Sequence, residues 1–205
     1  MISWTIEQIL EATGGQLVRG EPKAVARRLS IDSRTLQPGE AYVAIRGRRL
    51  DGHQFIDEAA HQGASCLIVS RIPTLINGAS SLPMVLVADT SLALGDLARY
   101  HRRRLNPTVI AVTGSCGKTT TKELIAHLVG TPATVLKTLG TQNNHIGVPL
   151  TLLRMTQHHR IAVTKQDFLS ERHTVHINRD PLCKALYWDV QFLILFAGEF
   201  SLRHR

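Results

Sequence analysis

The residues best suited to chemistry lie in one run, Val109-Ile-Ala-Val-Thr-Gly-Ser-Cys-Gly-Lys-Thr-Thr-Thr121. A continuous apolar stretch, a glycine-containing turn and then Lys-Thr opening a helix make up the architecture of a phosphate-binding loop. Gly114 and Gly117 free the backbone to turn tightly, so that the N–H groups of Ser115, Cys116 and Gly117 face phosphate oxygens. Lys118 and Thr119 are the catalytic candidates. Lys118 would bridge the β- and γ-phosphates of ATP, the Thr119 hydroxyl would ligate Mg²⁺, and Thr120 completes the helix start. The longer G-x-x-x-x-G-K-[ST] pattern would need glycine at 112, where Val112 stands, so the spacing is the shorter G-x-x-G-K-T-T. The competing reading is a strand–helix corner with an incidental lysine.

Other reactive side chains carry less. Cys116 sits within the loop beside Lys118, a setting that makes thiols reactive, but no base partner is indicated and it reads as a loop residue. The pair His158-His159 lacks metal-ligand spacing on a helix and reads as solvated. Three cysteines, far apart and odd in number, form no disulfide framework and fit a reducing, cytoplasmic setting.

The elements that must hold the loop alternate between helix and strand, as in an α/β fold. Thr5-Ile-Glu-Gln8 has capping-box spacing ahead of Ile6, Ile9 and Leu10, and Gly14-Gly15 stops that helix. Ala41 to Ile45, Cys66 to Val69 and Met84 to Val87 read as strands, and His53 to His61 as a helix. Asp89 caps a helix that runs to about Leu105, where Asn106-Pro107 breaks it. Val109 to Val112 reads as a strand buried on both faces, followed by a helix with Leu124, Ile125, Leu128 and Val129 as its apolar stripe. Ala133 to Leu136 is a second strand, and Ile146 to Leu153 is helical because proline is tolerated in a first turn. Phe192 to Phe196 fits a strand or a buried helix equally.

Composition sets the outer limits. The chain has 205 residues, 43% hydrophobic and 20% charged, as expected of a folded globular chain. The apolar stretch Val190 to Gly198 is far short of the roughly 20 residues that span a bilayer, and no signal peptide is apparent, so no membrane insertion is expected. Twenty-four Lys and Arg against 16 Asp and Glu give a formal charge of +8, which favours anionic partners. The densest basic run, Arg99 to Arg104, sits at a helix end without an aromatic stacking platform, so nucleic acid is not the expected partner.

The short phosphate loop resembles that of the Mur ligase family, whose ATP-dependent members activate a carboxylate as an acyl phosphate and join it to an amine. Gly140-Thr-Gln-Asn-Asn-His-Ile-Gly-Val-Pro-Leu-Thr-Leu-Leu153 resembles the asparagine loop of the branch that adds D-alanyl-D-alanine to UDP-N-acetylmuramoyl-tripeptide. The resemblance implies that Asn143 and Asn144 face ATP or substrate; without the loop upstream, capping asparagines in a turn would be the better reading. Ile31 to Arg34, Gln37 to Ile45 and Gly47 to Ile56 resemble the segments that hold the uridine diphosphate. By that resemblance Ser33, Arg34, Gly47 and His53 are the UDP-sugar-binding residues, Arg34 making charge-assisted contacts to the diphosphate. Asp51-Gly52-His53 reads equally as a turn and helix cap with a solvated histidine.

Together these imply a small mixed α/β N-terminal substrate domain (residues 1–106), then the first part of a P-loop, parallel-sheet ATPase domain (107–163). The expected ligands are ATP with Mg²⁺, UDP-N-acetylmuramoyl-tripeptide and D-alanyl-D-alanine, the last without its site in this chain, and the expected state is a monomer. The resemblance stops near Val163. There the family pattern implies a Mg²⁺-holding glutamate, whereas Thr164-Lys165-Gln-Asp-Phe168 follows; lysine has the wrong sign beside a divalent cation. Six of the ten aromatics (Phe168, Tyr187, Trp188, Phe192, Phe196 and Phe200) fall beyond this point, so residues 164–205 read as an unrelated tail from a shifted frame or gene fragment. That tail is expected to pack poorly and to leave the sheet edge open. Three functions follow in order: a Mur-type ligase by descent without activity alone, a nucleotide or UDP-sugar binding module, and a basic nucleic-acid binder.

Overall fold

The computed structural model describes residues 3–47, 49–73, 82–114, 116–140, 144–165, 183–188 and 192–197. Two compact units divide the chain, Met1–Leu97 and Ala98–Arg205.

In the first unit the elements run β1 (Trp4–Thr5), α1 (Ile6–Thr13), β2 (Gln16–Arg19), β3 (Val25–Ala26), β4 (Leu29–Ser30) and β5 (Ala41–Val43). A 3-10 turn (Gly52–Phe55), α2 (Ile56–His61), β6 (Cys66–Val69) and β7 (Met84–Leu86) follow, and α3 (Thr90–Leu105) begins in this unit. The expected capping box is present: the Thr5 side chain accepts from the Gln8 amide at 3.2 Å and the Gln8 side chain accepts from the Thr5 amide at 3.1 Å. Gly14, at φ 63°, ends α1 in the left-handed conformation that glycine adopts without strain. The sheet order is β2-β7-β6-β5-β4, with β4 to β7 parallel and β2 antiparallel at one edge. Every residue of β5 and β6 is buried, which is why both read as unbroken apolar runs. One face packs Tyr42, Leu67, Val69 and Met84 against Ile56 and Ala59 of α2.

The second unit holds β8 (Thr108–Gly114), α4 (Lys118–Val129), β9 (Val135–Lys137), α5 (Gly147–Leu153), β10 (Ile161–Lys165), β11 (Cys183–Trp188) and β12 (Phe192–Ala197). Its sheet order is β11-β12-β8-β10-β9, with β8, β10 and β9 parallel. Alternation along β8 separates two cores. Val109 and Ala111 face Ala98 of α3 and Val148 and Leu152 of α5, while Ile110 and Val112 face Ala126 of α4. Pro149 falls in the first turn of α5, where its missing N–H costs nothing.

Two expectations change here, and one reading left open is decided. Leu124, Leu128 and Val129 are 58%, 80% and 38% exposed, so they do not form the buried stripe of α4; Lys122 and Ala126 point inward instead. Phe192–Ala197 is a strand, not a helix, and pairs antiparallel with β8, Leu195 opposite Ala111. The edge of β8 is therefore covered rather than open, and β11 extends the sheet by one more strand. Of the expected tail 164–205, residues 166–182, 189–191 and 198–205 lie outside the described residues.

Candidate functional site

Two sheet edges gather the sequence-predicted residues, one in each unit. Both lie where parallel strands end, the place at which open α/β sheets bind ligands.

In the second unit β8 delivers the chain into the loop and α4 carries it away. Gly114 and Gly117 have φ of 150° and 71°, conformations that a side chain would strain, so the glycine spacing has its expected cause. Thr121 N–H donates to Gly117 O at 2.9 Å, starting the helical ladder. The first turn of α4 carries exposed Thr119 and Thr120 beside exposed Cys116 and Gly117, at a helix start, where N–H groups have no acceptor within the helix. Half-buried Lys118 curls back, its Nζ donating to Gly114 O at 2.6 Å. Ser115 and Asn143 lie outside the described residues. Asn144 Oδ1 accepts from the amides of Ile146 at 3.2 Å and Gly147 at 2.8 Å, so its oxygen holds the entry to α5.

The strands beside β8 bring in residues that the sequence reading did not assign to the loop. Lys122, 2% exposed, donates to Thr138 O at 2.6 Å and pairs with Glu123 at 2.8 Å. Hydrogen bonds from Lys122 and Lys137 hold the Glu123 carboxyl down at about 2. Thr138, fully buried just after β9, also accepts on Oγ1 from the Lys165 amide at 3.3 Å. Lys165, 5% exposed at the end of β10, donates from Nζ to Thr119 Oγ1 at 3.1 Å. The Lys118–Lys122 spacing of one helical turn was the available signal for the inward lysine; Thr138 offered none.

The expected Mg²⁺ contact can be tested against this donor set. The Thr119 hydroxyl oxygen faces an ammonium, and among the described residues no three acidic, histidine or cysteine side chains gather as a metal cluster. A cation at that hydroxyl would meet a like charge, with no carboxylate among the described residues paired to that ammonium. The described residues do not fit a divalent ion.

In the first unit the edge is formed by the segments after β4, β5 and β6. Ser33, 4% exposed, donates from Oγ to Glu58 Oε2 at 2.7 Å. Arg34 is exposed and forms a two-pronged pair with Asp32, Nε to Oδ1 at 2.9 Å and Nη2 to Oδ2 at 2.7 Å. The Arg34 side chain holds the Asp32 carboxyl below its ordinary value. Gly47 N–H donates to Leu50 O at 2.8 Å and closes the turn that leads to Asp51.

His53 is buried, not solvated. Its Nδ1 donates to Asp51 Oδ1 at 2.7 Å and its Nε2 accepts from the Ser70 amide at 3.0 Å, an assignment that this network imposes. Asp51 also accepts from the His53 amide and from Arg71 at 2.7 Å. Burial pushes the Asp51 carboxyl up, but the His53 hydrogen bonds and the Arg71 charge outweigh it and leave it below 3.8. His53 therefore ties the turn after β5 to the end of β6. Nothing in the sequence ahead of Ser70 marked that tie.

Residues 26–102 match the Mur ligase family, catalytic domain, and residues 112–167 match the Mur ligase middle domain. The UDP-N-acetylmuramoyl-tripeptide–D-alanyl-D-alanine ligase of Haemophilus influenzae is 38% identical over 182 residues, covering 87% of this chain. The solved UDP-N-acetylmuramoylalanyl-D-glutamyl-2,6-diaminopimelate–D-alanyl-D-alanyl ligase of Acinetobacter baumannii superposes with a TM-score of 0.75 at 35% identity, covering 84% of this chain and 38% of that one. The Thermotoga maritima MurF ligase, solved in complex with ADP, gives a TM-score of 0.60 at 36% identity over 69% of this chain and 32% of its own. The chain spans 38% of the length of the Haemophilus relative.

Proposed function

The chain belongs to the Mur ligase family, whose members are ATP-dependent ligases, and on that footing we propose that it carries two ligand sites of such an enzyme. The loop from Gly114 to Thr120 takes the phosphates of ATP. The edge holding Ser33, Arg34, Gly47 and His53 takes the UDP moiety of UDP-N-acetylmuramoyl-tripeptide. The relatives' names give a ligase that joins D-alanyl-D-alanine to that tripeptide, and the family resemblance implies an acyl phosphate on the way. The ADP bound by the Thermotoga relative supports a nucleotide at the loop. A cytoplasmic location fits these ligands.

The observation that carries the reading is the loop itself. Two glycines at positive φ turn the chain into the start of α4, of which Lys118 is the first residue. That places several donors and a helix N-terminus on one anion. Lys118 has a short reach to move, since its carbonyl partner Gly114 O lies in the same loop. A phosphate would be the stronger acceptor for its ammonium. In the first unit Ser33 and the turn amides would position the sugar nucleotide, and Arg34 would have to exchange Asp32 for a diphosphate oxygen. Buried His53 acts there by positioning the turn.

A second reading, a module that binds without turnover, is favoured by Lys165 at Thr119. Calorimetric titration of the whole chain with ATP separates loop binding from none; saturable binding is expected. Phosphate release dependent on D-alanyl-D-alanine is expected to be absent, and its appearance would reject the binding-module reading in favour of ligase turnover.

A further inference from the structure

Lys165 is a buried cation that nothing in the two proposed sites uses. It closes β10, is 5% exposed, and its ammonium donates to Thr119 Oγ1 at 3.1 Å. Among the described residues no carboxylate pairs with it; the nearby Glu123 is engaged by Lys122 and Lys137. An ammonium has three donors, and the threonine hydroxyl takes one. A desolvated cation left without a counter-charge is costly, and the cost is relieved when an anion arrives. The remaining donors lie beside the one hydroxyl in the loop suited to a phosphate-bound cation, at the end of the parallel strand adjacent to β8.

We propose that Lys165 makes the phosphate site of this chain independent of a divalent cation, its ammonium standing at the Thr119 hydroxyl and binding the phosphate directly. The proposal rests on the reading of Gly114 to Thr120 as a phosphate loop. It follows from sign and position together. A fixed ammonium supplies positive charge at the hydroxyl, repels a metal ion there, and favours the more negative metal-free triphosphate. Lys118 and Lys165 then approach the anion from α4 and β10, and the hydrogen bond to Thr119 keeps Lys165 oriented while the site is empty.

The test is calorimetric titration of the full chain with ATP, once in EDTA and once in excess Mg²⁺, for the natural sequence, Lys165→Glu and Lys165→Gln. The natural sequence is expected to bind ATP at least as tightly in EDTA, with Mg²⁺ weakening binding several-fold. Lys165→Glu should lose about tenfold or more in EDTA, about 1.4 kcal/mol per tenfold, and recover with Mg²⁺. Lys165→Gln should lose affinity in EDTA through the missing charge. If Lys165→Glu fails to fold, the natural chain with and without Mg²⁺, together with Lys165→Gln, still decides. ATP binding that appears only with Mg²⁺ would overturn the inference and leave the phosphate-loop reading standing. Absence of binding in both conditions would overturn both.

Discussion

The carboxyl edges of the two sheets carry similar residue types and treat them differently. In the first unit each candidate side chain already has its partner: Ser33 on Glu58, Arg34 on Asp32, and His53 between Asp51 and the Ser70 amide. In the second unit the loop opens a helix start, and Lys165 meets only a hydroxyl among the described residues. The first edge is organised by internal ion pairs, so a diphosphate must compete with Asp32 for Arg34. The second shows no counter-charge for Lys165 among the described residues, and by the proposal above an anion completes it. A ligand should therefore reorganise the first edge and stabilise the second.

The sharpest separation comes from Lys118→Ala. Removing a charge-assisted bond worth about 1.5–3 kcal/mol should cut ATP affinity roughly ten- to a hundredfold. Titration with a UDP-muramoyl peptide should be unchanged, and an equal loss for both ligands would erase the distinction between the edges.

Gly52→Ala should act on the first unit alone. A Cβ there would come within 2.8 Å of Ile45 N and O, backbone atoms that have nowhere to go. The Tyr42 hydroxyl, whose proton burial holds up to about 12, also donates to Gly52 O at 3.0 Å and pins the turn. A loss of about 1–3 kcal/mol is expected, measured by denaturant unfolding, with weaker binding of the UDP ligand. ATP affinity should hold.

These predictions show where the sequence was legible. The loop could be read because its signals are local: a β-strand, glycines at fixed offsets, and Lys-Thr at a helix start. The capping box at Thr5 and Gln8 was visible for the same reason. The stripe on α4 misled because apolar residues marked a face that the structure leaves exposed, while Lys122 buries its stem and finds Thr138 O across the sheet. The position of β10 between β8 and β9, and with it the approach of Lys165 to Thr119, depends on pairing between residues far apart in sequence, such as Lys165 with Val112. His53 was open between two readings because its partner Ser70 arrives from another strand.

A smaller change tests the competition at Arg34. Asp32→Asn removes the charge that holds the guanidinium and should strengthen UDP-peptide binding a few-fold. A decrease would mean that Asp32 presents Arg34 to the ligand rather than occupying it. Calorimetry reads either result.

The smallest effect separates the units by pH. Burial holds the His101 imidazole, 1% exposed, below its ordinary 6.5, and burial with the Arg154 and His158 charges does the same for His159. Both stay neutral in the fold, so the unfolded chain binds more protons as pH drops below 6.5 and the second unit loses stability. Asp32 and Asp51 are also lowered, but from a carboxylate's 3.8, so their contribution to the first unit lasts until pH falls below 3.8. Between pH 6.5 and 5, amide exchange corrected for intrinsic rates should accelerate in the second unit first.

The most direct test of the two-edge account is a pair of amide-resonance titrations on the full chain. ATP should shift residues around Gly114 to Thr121 and the end of β10, and a UDP-muramoyl peptide should shift residues around Ser33, Gly47 and His53, with little overlap. Both ligands moving the same resonances, or neither moving any at millimolar concentration, would contradict it.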